Sequence, residues 1–289
     1  MTEVLVIANR TLGGAKLLEL VRARAHAEES LSFRLVVPQS KPSAGLVIYD
    51  EAVRESAQIR VDLALARAAE EGIPLTGEVG DPDPFLAAMD AIAARRPDEI
   101  IVSTHPATHS GWLRRDLIER IHNASGLPVE HIVTDLDREG LPFGVTLVIA
   151  NKTSSGEELL ERLREKAAAG GGPGEGAGPR LFVAVIPQQD GSGDAPGQAR
   201  RRLAQMLGRL REAGLVAAGM IGDPDPYTAA VNALELFRVD DVVISTLPNQ
   251  RSGWMRANLI ERVQHATSAP VEHVVVDVHD TASHAVQAA

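Results

Sequence analysis

One long segment of this chain occurs twice. The stretch Gly80–Asp135 returns as Gly222–Asp277, shifted by 222 − 80 = 142 positions without a gap. Both tryptophans of the chain, Trp112 and Trp254, stand at matched positions of the two copies. A residue that local packing requires in one copy should be required in the other, so the repeat also provides an internal control. It predicts two domains of the same fold.

The composition narrows the range of partners. At 289 residues the chain exceeds the roughly 100 to 200 residues of one domain, and each copy is long enough to bury its own core. Its net charge of −10 gives no general attraction for phosphate backbones or anionic lipids. We therefore expect no nucleic acid and no membrane as partners. The lack of cysteine excludes disulfides and thiolate sites and fits a cytoplasmic location.

The hydrophobic pattern predicts an α/β fold. Short apolar runs alternate with longer segments of helical period, which indicates parallel strands joined by crossover helices. The beginning of the chain predicts a first strand and not a signal peptide, and no segment approaches the ~18 to 20 apolar residues of a membrane helix. The predicted fold is two tandem Rossmann-like domains, each a five-stranded parallel sheet with helices on both faces. The predicted strands are 4–8, 33–37, 74–79, 99–103 and 129–134, then 145–150, 180–186, 215–221, 241–245 and 271–276. The predicted helices are 13–28, 50–72, 84–95 and 110–124, then 155–168, 197–213, 226–238 and 252–267.

Two irregular segments interrupt this order. Residues 137–144 contain the glycine and proline of a short connector between the copies. Residues 167–180 are rich in glycine and lie between the first helix and the second strand of the second copy. A phosphate-binding loop needs a strand before it and a helix directly after it. We therefore interpret 167–180 as a flexible or disordered insert.

The fifth strand of each copy is expected at the edge of its sheet. Its apolar residues would leave unpaired backbone that invites association. Pairing the two fifth strands would cover both edges, so we expect an intrachain pseudo-dimer, with further homo-oligomers left open.

Ligands of open α/β sheets bind beyond the carboxyl ends of the strands, where the strand order reverses. That point lies between the first and fourth strands of each predicted domain. Ser110 and Ser252 stand where the fourth helix is predicted to begin, so they can cap its free N–H groups or leave them to an anion. The candidate ligand-binding residues are Asn9, Thr11, Ser103, Thr104, Ser110 and Gly111, with Asn151, Thr153, Ser245, Thr246, Ser252 and Gly253 in the second copy. Neighbouring candidates in the first copy are Arg10, the pair Gly13 and Gly14, His105 and Pro106. In the second copy they are Lys152, Gly156, Leu247 and Pro248.

Each candidate also has a structural interpretation. Ser-Thr before a proline commonly ends a strand in a turn, and Trp112 and Trp254 fit helix packing as well as stacking on a ligand. His105 is replaced by Leu247 in the second copy, which speaks against a catalytic base. His131 and His273 do recur, but each faces the opposite side of its strand from the neighbouring glutamate. We expect these two histidines at an interface.

The repeated Gly-Asp-Pro-Asp-Pro motif predicts the start of the third helix. Gly80 and Gly222 suit an unusual backbone conformation, and Asp81 or Asp223 is expected to cap the helix. A metal site from Asp81 and Asp83 lacks a third ligand within the motif, so no metal is predicted. The chain also lacks a P-loop, a Gly-x-Gly-x-x-Gly loop after a strand, a nucleophile elbow and a zinc-protease motif. No catalytic residue is predicted.

Together these segments resemble the universal stress protein family, in tandem form. The resemblance covers nearly the whole chain, through the openings VLVIANRT and VTLVIANKT, the Gly-Asp-Pro motif, the strands EIIVST and DVVIST, the helices LIERI and LIERV, and the endings LPVEHIV and APVEHVV. It implies two universal stress protein-like domains, at 1–136 and 143–278, of the adenine nucleotide α-hydrolase-like fold. It also implies dimerisation through the last strands, and binding of ATP or AMP in some members.

The chain departs from the nucleotide-binding pattern of that family. The two glycines that follow the fourth strand in such members correspond to Ser103 and Pro106, and the next glycine to Arg115. The hydroxyl residue corresponds to Asp116, and the aspartate after the first strand to Asn9. In the second copy these positions are Ser245, Pro248, Ala257, Asn258 and Asn151. Proline offers no N–H to a phosphate.

The resemblance therefore implies a cytoplasmic, non-enzymatic stress-response protein with a degenerate nucleotide cleft, which senses a ligand or binds a partner. No cofactor is certain, with ATP or AMP as candidates. The alternatives are a nucleotide-binding enzyme, an ATPase or adenylyl transferase with a modified phosphate loop, and a purely structural scaffold.

Overall fold

The computed structural model describes residues 2–28, 30–39, 50–106, 116–171, 178–188, 195–248, 254 and 258–277. These residues form two five-stranded sheets of parallel strands. The first copy contains β1 (Thr2–Ile7), α1 (Ala15–Ala27), β2 (Leu31–Pro38), α2 (Asp50–Glu70), β3 (Leu75–Gly80), α3 (Pro84–Ala94), β4 (Glu99–Thr104), α4 (Leu117–Ser125) and β5 (Val129–Val133). After α5 (Leu136–Glu139), the second copy contains β6 (Gly144–Ile149), α6 (Glu157–Ala169), β7 (Arg180–Pro187), α7 (Ala195–Glu212), β8 (Ala217–Gly222), α8 (Pro226–Leu236), β9 (Asp241–Thr246), α9 (Leu259–Ala266) and β10 (Val271–Val275).

Both sheets have the same strand order. It is β3-β2-β1-β4-β5 in the first copy and β8-β7-β6-β9-β10 in the second. The predicted α/β class, the parallel sheets and the reversal of order between first and fourth strands are confirmed. β5 and β10 each lie at an edge of their own sheet, as expected.

Helices cover both faces of each sheet. In the first copy, Leu17 of α1 and Val61 of α2 pack in one core cluster, while Ala88 of α3 and Ile121 of α4 pack in another. The strands between them are apolar on both faces because each face meets a helix layer. In the second copy α6 and α7 share one face with Val148 and Ile186. Both predicted helix layers are therefore present.

The fourth helices differ from the prediction. Asp116 precedes α4 at φ 48 and Asn258 precedes α9 at φ 49, in the left-handed region that Asp and Asn tolerate better than most residues. A left-handed residue interrupts the helical hydrogen-bond pattern, so the continuous helices predicted at 110–124 and 252–267 are wrong. The predicted caps Ser110 and Ser252 lie outside the described residues.

The connecting segments contain more order than predicted. Residues 136–139, at the start of the connector, form the short helix α5, capped by Asp135. Within the insert predicted as irregular at 167–180, α6 continues to Ala169, and an antiparallel bridge joins Gly171 to Gly178. Residues 172–177 lie outside the described part of the chain.

The chain divides into two compact units, Met1–Gly144 with Gly170–Leu181, and Val145–Ala169 with Phe182–Ala289. This division describes where contacts are dense. It does not test whether 1–136 and 143–278 fold as independent domains, so these predicted domain limits stay predictions.

Candidate functional site

The first and fourth strands of each copy run side by side and end at the same edge of the sheet. β1 pairs with β4 from Val4 opposite Glu99 to Ile7 opposite Val102, and β6 pairs with β9 in the matching register. The residues that follow these strands therefore meet at the point where the strand order reverses. This is the place where ligands of open α/β sheets bind.

The asparagine after the first strand is buried and bonded within the protein. Asn9 and Asn151 are each only 4% exposed. The Nδ2 of Asn9 donates to the Pro38 carbonyl at the end of β2, and the Nδ2 of Asn151 donates to the Pro187 carbonyl over 3.1 Å at the end of β7. The same side chain thus ties the first strand to the second in both copies.

The threonine two residues later ties the first loop to the fourth strand. Thr11 Oγ1 donates to the Ser103 carbonyl over 3.1 Å, and Thr153 Oγ1 donates to the Ser245 carbonyl over 3.1 Å. The N–H of Gly14 also donates to the Thr11 carbonyl. The loop at the switch point is therefore held by a repeated set of internal hydrogen bonds.

The glycines of this loop allow close packing. A Cβ on Gly14 would lie 2.3 Å from Thr134 Cγ2, and a Cβ on Gly156 would lie 2.2 Å from Val276 Cγ1. Such distances do not occur between real side chains, so the residue after the fifth strand occupies the space that a larger residue would need. These contacts give both glycines a packing role.

The two serines of the fourth strands have different surroundings. Ser103 Oγ lies 3.4 Å from Thr134 Oγ1. Ser245 is 1% exposed, and its Oγ has no hydrogen-bond partner among the residues that the structure describes. The cause is the replacement of Thr134 by Val276 in the second copy, because valine offers no hydroxyl.

The repeated histidines of the fifth strands pair with the threonines that end the fourth strands. His131 Nε2 lies 2.9 Å from Thr104 Oγ1, and His273 Nε2 lies 2.8 Å from Thr246 Oγ1. Each threonine hydroxyl donates to the carbonyl of the next residue, so it accepts from the Nε2–H of the histidine. Burial lowers the pKa of both histidines below the usual 6.5. Their expected place at an interface stays a prediction.

The glutamates beside these histidines have other partners. Arg24 pairs with Glu99 and Glu130 in the first copy. Lys166 pairs with Asp241 over 3.2 Å and with Glu272 over 3.1 Å in the second. All three positions match under the shift of 142. The glutamates therefore join the fifth strand to the first helix of each copy.

The Gly-Asp-Pro-Asp-Pro motif begins a helix, but not in the predicted way. Asp83 and Asp225 are the N-caps of α3 and α8, while Asp81 Oδ1 accepts from the N–H of Asp83. The predicted caps, Asp81 and Asp223, are thus wrong. Gly80 keeps a negative φ, and its small size is needed because a Cβ would lie 2.7 Å from Ala87 Cβ. The described residues contain no group of three side chains suited to a metal ion.

The sequence-based candidates fall into two groups. The structure brings Asn9, Thr11, Ser103 and Thr104 together at one switch point, and Asn151, Thr153, Ser245 and Thr246 at the other. Ser110, Gly111, Ser252 and Gly253 lie outside the described residues. Pro106 and Pro248 follow their fourth strands and offer no N–H to a ligand. Ligand binding by the candidates stays a prediction.

One pair of residues at this site was missed from sequence. Arg60 of α2 and Arg202 of α7 are matched under the shift of 142, and Arg202 Nη1 donates to Asn151 Oδ1 over 2.8 Å. The signal was present, since Ala57 and Arg60 recur as Ala199 and Arg202. It was hidden because the second helices are otherwise weakly alike, with Leu65, Arg67 and Glu70 as the other residues that recur.

None of the helices in the described part of the chain is both long and apolar enough to cross a membrane. No protein-family model and no curated protein matches the sequence. Among solved structures, 12 chains match. One is the crystal structure of a universal stress protein from Archaeoglobus fulgidus DSM 4304, with 14% sequence identity, a TM-score of 0.35, and coverage of 95% of this chain and 96% of that chain.

Proposed function

We propose that the chain is a tandem universal stress protein whose two switch points bind a small ligand without turning it over. The family motifs quoted above support the assignment, and they occur in both copies at equivalent places of the same strand order. The response to the ligand is passed on by binding a partner. A cytoplasmic location stays a prediction, to be checked by cell fractionation.

One observation carries this proposal. Both copies hold the loop after the first strand with the same two buried hydrogen bonds, from asparagine to a proline carbonyl and from threonine to a serine carbonyl. A site that is already ordered loses little conformational entropy when a ligand binds. The two loops border the crevice in which α/β sheets take their ligands.

The family's usual phosphate contacts are altered in this chain. Pro106 and Pro248 remove an N–H that would face a phosphate. We therefore expect weak binding of ATP and no hydrolysis. The competing function is a nucleotide-binding enzyme, and turnover separates the two.

The test is isothermal titration of the full chain with ATP, AMP and cyclic AMP, followed by analysis of the bound nucleotide. The proposal expects saturable binding of at least one nucleotide that is recovered intact. Hydrolysis or adenylyl transfer would contradict the proposal and show a nucleotide-binding enzyme. If no nucleotide binds at millimolar concentration, a purely structural scaffold is the function that remains. Thr11→Val and Thr153→Val, made separately, show which copy binds, because each removes one hydroxyl and keeps the volume.

The fifth strands carry the partner-binding part of the proposal. Val133 of β5 is 40% exposed and Val275 of β10 is 45% exposed, and each lies on an edge strand. Apolar residues on a strand edge favour pairing with another strand. We propose that these two edges pair within the chain, with homo-oligomers as an alternative.

The natural absence of cysteine makes this pairing easy to test. The double variant Val133→Cys/Val275→Cys should form an intrachain disulfide under mild oxidation, seen as a faster band on a non-reducing gel. Each single variant is the control, since it has no partner within its own chain. A disulfide-linked dimer from the double variant at low protein concentration would instead support pairing between chains.

A further inference from the structure

Each copy has a basic residue directly after its first strand and an arginine on its second helix. These are Arg10 with Arg60 in the first copy and Lys152 with Arg202 in the second, and both pairs match under the shift of 142. Arg10 and Lys152 are exposed, while Arg60 and Arg202 are half-buried. The asparagine of the switch point immediately precedes the exposed member of each pair. The repeat thus keeps two basic residues at equivalent positions of both copies.

In the second copy the arginine contacts only neutral oxygens. Arg202 Nη1 donates to Asn151 Oδ1 over 2.8 Å, and Nη2 donates to Gln198 Oε1 over 3.5 Å. Within the described ranges, no carboxylate forms an ion pair with Arg202. A half-buried guanidinium without a counter-charge loses solvation energy that an anion can restore.

Asn151 fixes the direction of this guanidinium. Its Nδ2 donates to the Pro187 carbonyl and its Oδ1 accepts from Arg202, so only one orientation of the amide satisfies both contacts. An aspartate at this position would neutralise the arginine but could not donate to the carbonyl. Asparagine therefore positions the arginine and leaves its charge available.

In the first copy the equivalent arginine bonds to its own helix and feels the charge of Arg10. Arg60 Nη1 donates to the Ser56 carbonyl over 3.0 Å. Burial first, and then the positive charge of Arg10, lower the pKa of Arg60 to about 10. Arg60 remains positive at neutral pH, so the charge of Arg10 repels it. A bound anion would relieve this repulsion.

We propose that each switch point binds a carboxylate or phosphate group between the arginine of the second helix, Arg60 or Arg202, and the basic residue after the first strand, Arg10 or Lys152. The planar fork of an arginine matches two oxygens of either group. The anion thus lies on the second-helix side of the crevice and not at the proline-containing loop after the fourth strand. This inference rests on the proposed ligand-binding function and specifies its chemistry.

Isothermal titration at constant ionic strength tests the proposal, with AMP, adenosine, inorganic phosphate and succinate as probes. We expect AMP to bind more tightly than adenosine, or succinate or phosphate to bind by itself. Binding of phosphate and AMP identifies a phosphate site, and binding of succinate alone identifies a carboxylate site. In the double variant Arg60→Gln/Arg202→Gln, affinity for the anion should fall on the order of 10- to 100-fold, the value of a hydrogen bond to a charged group.

One further variant separates binding from folding, and a second tests the response of the site to an internal charge. Arg201→Gln removes the same charge from the exposed residue next to Arg202 on α7 and should leave anion binding within about 2-fold, because solvent and salt screen an exposed charge. Asn9→Asp/Asn151→Asp keeps both arginines but supplies an internal anion, so it should also abolish anion binding.

The outcomes distinguish this inference from the proposed function. Adenosine binding as tightly as AMP, with no effect of the arginine variants, would overturn the anion site and leave the ligand-binding function standing. Anion binding that survives loss of both arginines would also overturn it. If none of the four probes binds, both proposals fail for this class of ligand.

Discussion

The two copies fill equivalent positions of their first and second strands with different residue types, an ion pair in one and two valines in the other. In the first copy Arg34 of β2 is 7% exposed, and its Nε donates to Glu3 Oε1 over 3.0 Å. Its other nitrogens donate to the carbonyls of Ala91 and Arg95 at the end of α3. In the second copy the corresponding strand positions are Val145 and Val183, which are 6% and 0% exposed.

This difference shows what the fold requires and what it tolerates. A buried ion pair with further hydrogen bonds and a pair of valines occupy the same place in two sheets of identical strand order. Replacing a buried ion pair by apolar residues is often neutral, whereas removing one partner leaves an uncompensated charge. The two hydrogen bonds that hold the loop after the first strand, from the asparagine and from the threonine, are the same in both copies.

The largest expected effect comes from breaking the buried ion pair in the first copy. Among the described residues, Arg34→Ala leaves Glu3 with only its ion pair to the exposed Arg95 and removes the hydrogen bonds to the two carbonyls at the end of α3, so we expect a loss of about 3 to 5 kcal/mol in the free energy of unfolding. Urea unfolding measures it. Each copy has one tryptophan, so Trp254→Phe leaves the fluorescence of Trp112 as a probe of the first copy.

The second copy supplies the control for this prediction. The double variant Glu3→Val/Arg34→Val copies its valines, and it should recover most of the stability lost in Arg34→Ala. If the double variant is as unstable as the single one, the two copies are not interchangeable at this place.

The next effect should be equal in both copies. Gly80→Ala places a Cβ 2.7 Å from Ala87 Cβ, and Gly222→Ala places one 2.7 Å from Ala229 Cβ. Overpacking of this kind costs about 1 to 3 kcal/mol. Gly208→Ala is the control because its Cβ would meet nothing within 4 Å, and it should stabilise α7 by up to ~1 kcal/mol. Thermal unfolding of the three variants measures these changes in stability. Unequal losses of stability in Gly80→Ala and Gly222→Ala would contradict equivalent packing in the two copies.

The serines of the fourth strands should respond in opposite directions. Ser103→Ala removes the contact with Thr134 and should cost about 0.5 to 1.5 kcal/mol. Ser245→Ala removes a buried hydroxyl that has no partner among the described residues, so it should be neutral or stabilising by up to ~1 kcal/mol. Urea unfolding of the two variants measures the difference. Equal destabilisation would show that Ser245 has a partner.

The smallest effect concerns pH. Burial lowers the pKa of His131 and His273 in the folded protein below 6.5, so the unfolded chain takes up protons first as the pH falls. Their contribution to stability is complete above 6.5 and is lost below it. Melting temperatures between pH 5.5 and 7 should fall less in His131→Gln/His273→Gln than in the unchanged chain. Parallel curves for the two proteins would exclude these histidines as the cause.

Much of the fold could be predicted because its signals are local. Continuous apolar runs located all ten strands within about two residues, within the usual accuracy of such boundaries. The main error, the uninterrupted fourth helix, arose at Asp116 and Asn258. No proline or glycine stands at either position, so the sequence does not mark this left-handed conformation.

The candidate site was predictable only in part. Asn9, Thr11 and Ser103 follow from the rule that parallel strands end at a common edge. Arg60 and Arg202 do not follow from it, because they approach from the second helix, and the number of turns that bring a helix residue over a strand end depends on packing. The role of Asp83 as a cap likewise depends on where the helix axis begins.

The repeat and the alternation of apolar runs by themselves determined the architecture, since burial of periodic apolar faces leaves few arrangements for strands and helices. Which polar side chains meet was decided only by the tertiary structure. Arg202 reaches Asn151 across 51 residues, and Arg34 reaches Glu3 across 31. Hydrogen bonds and ion pairs depend on distances of a few ångström. These distances are fixed only by the packing of the helices against the sheets.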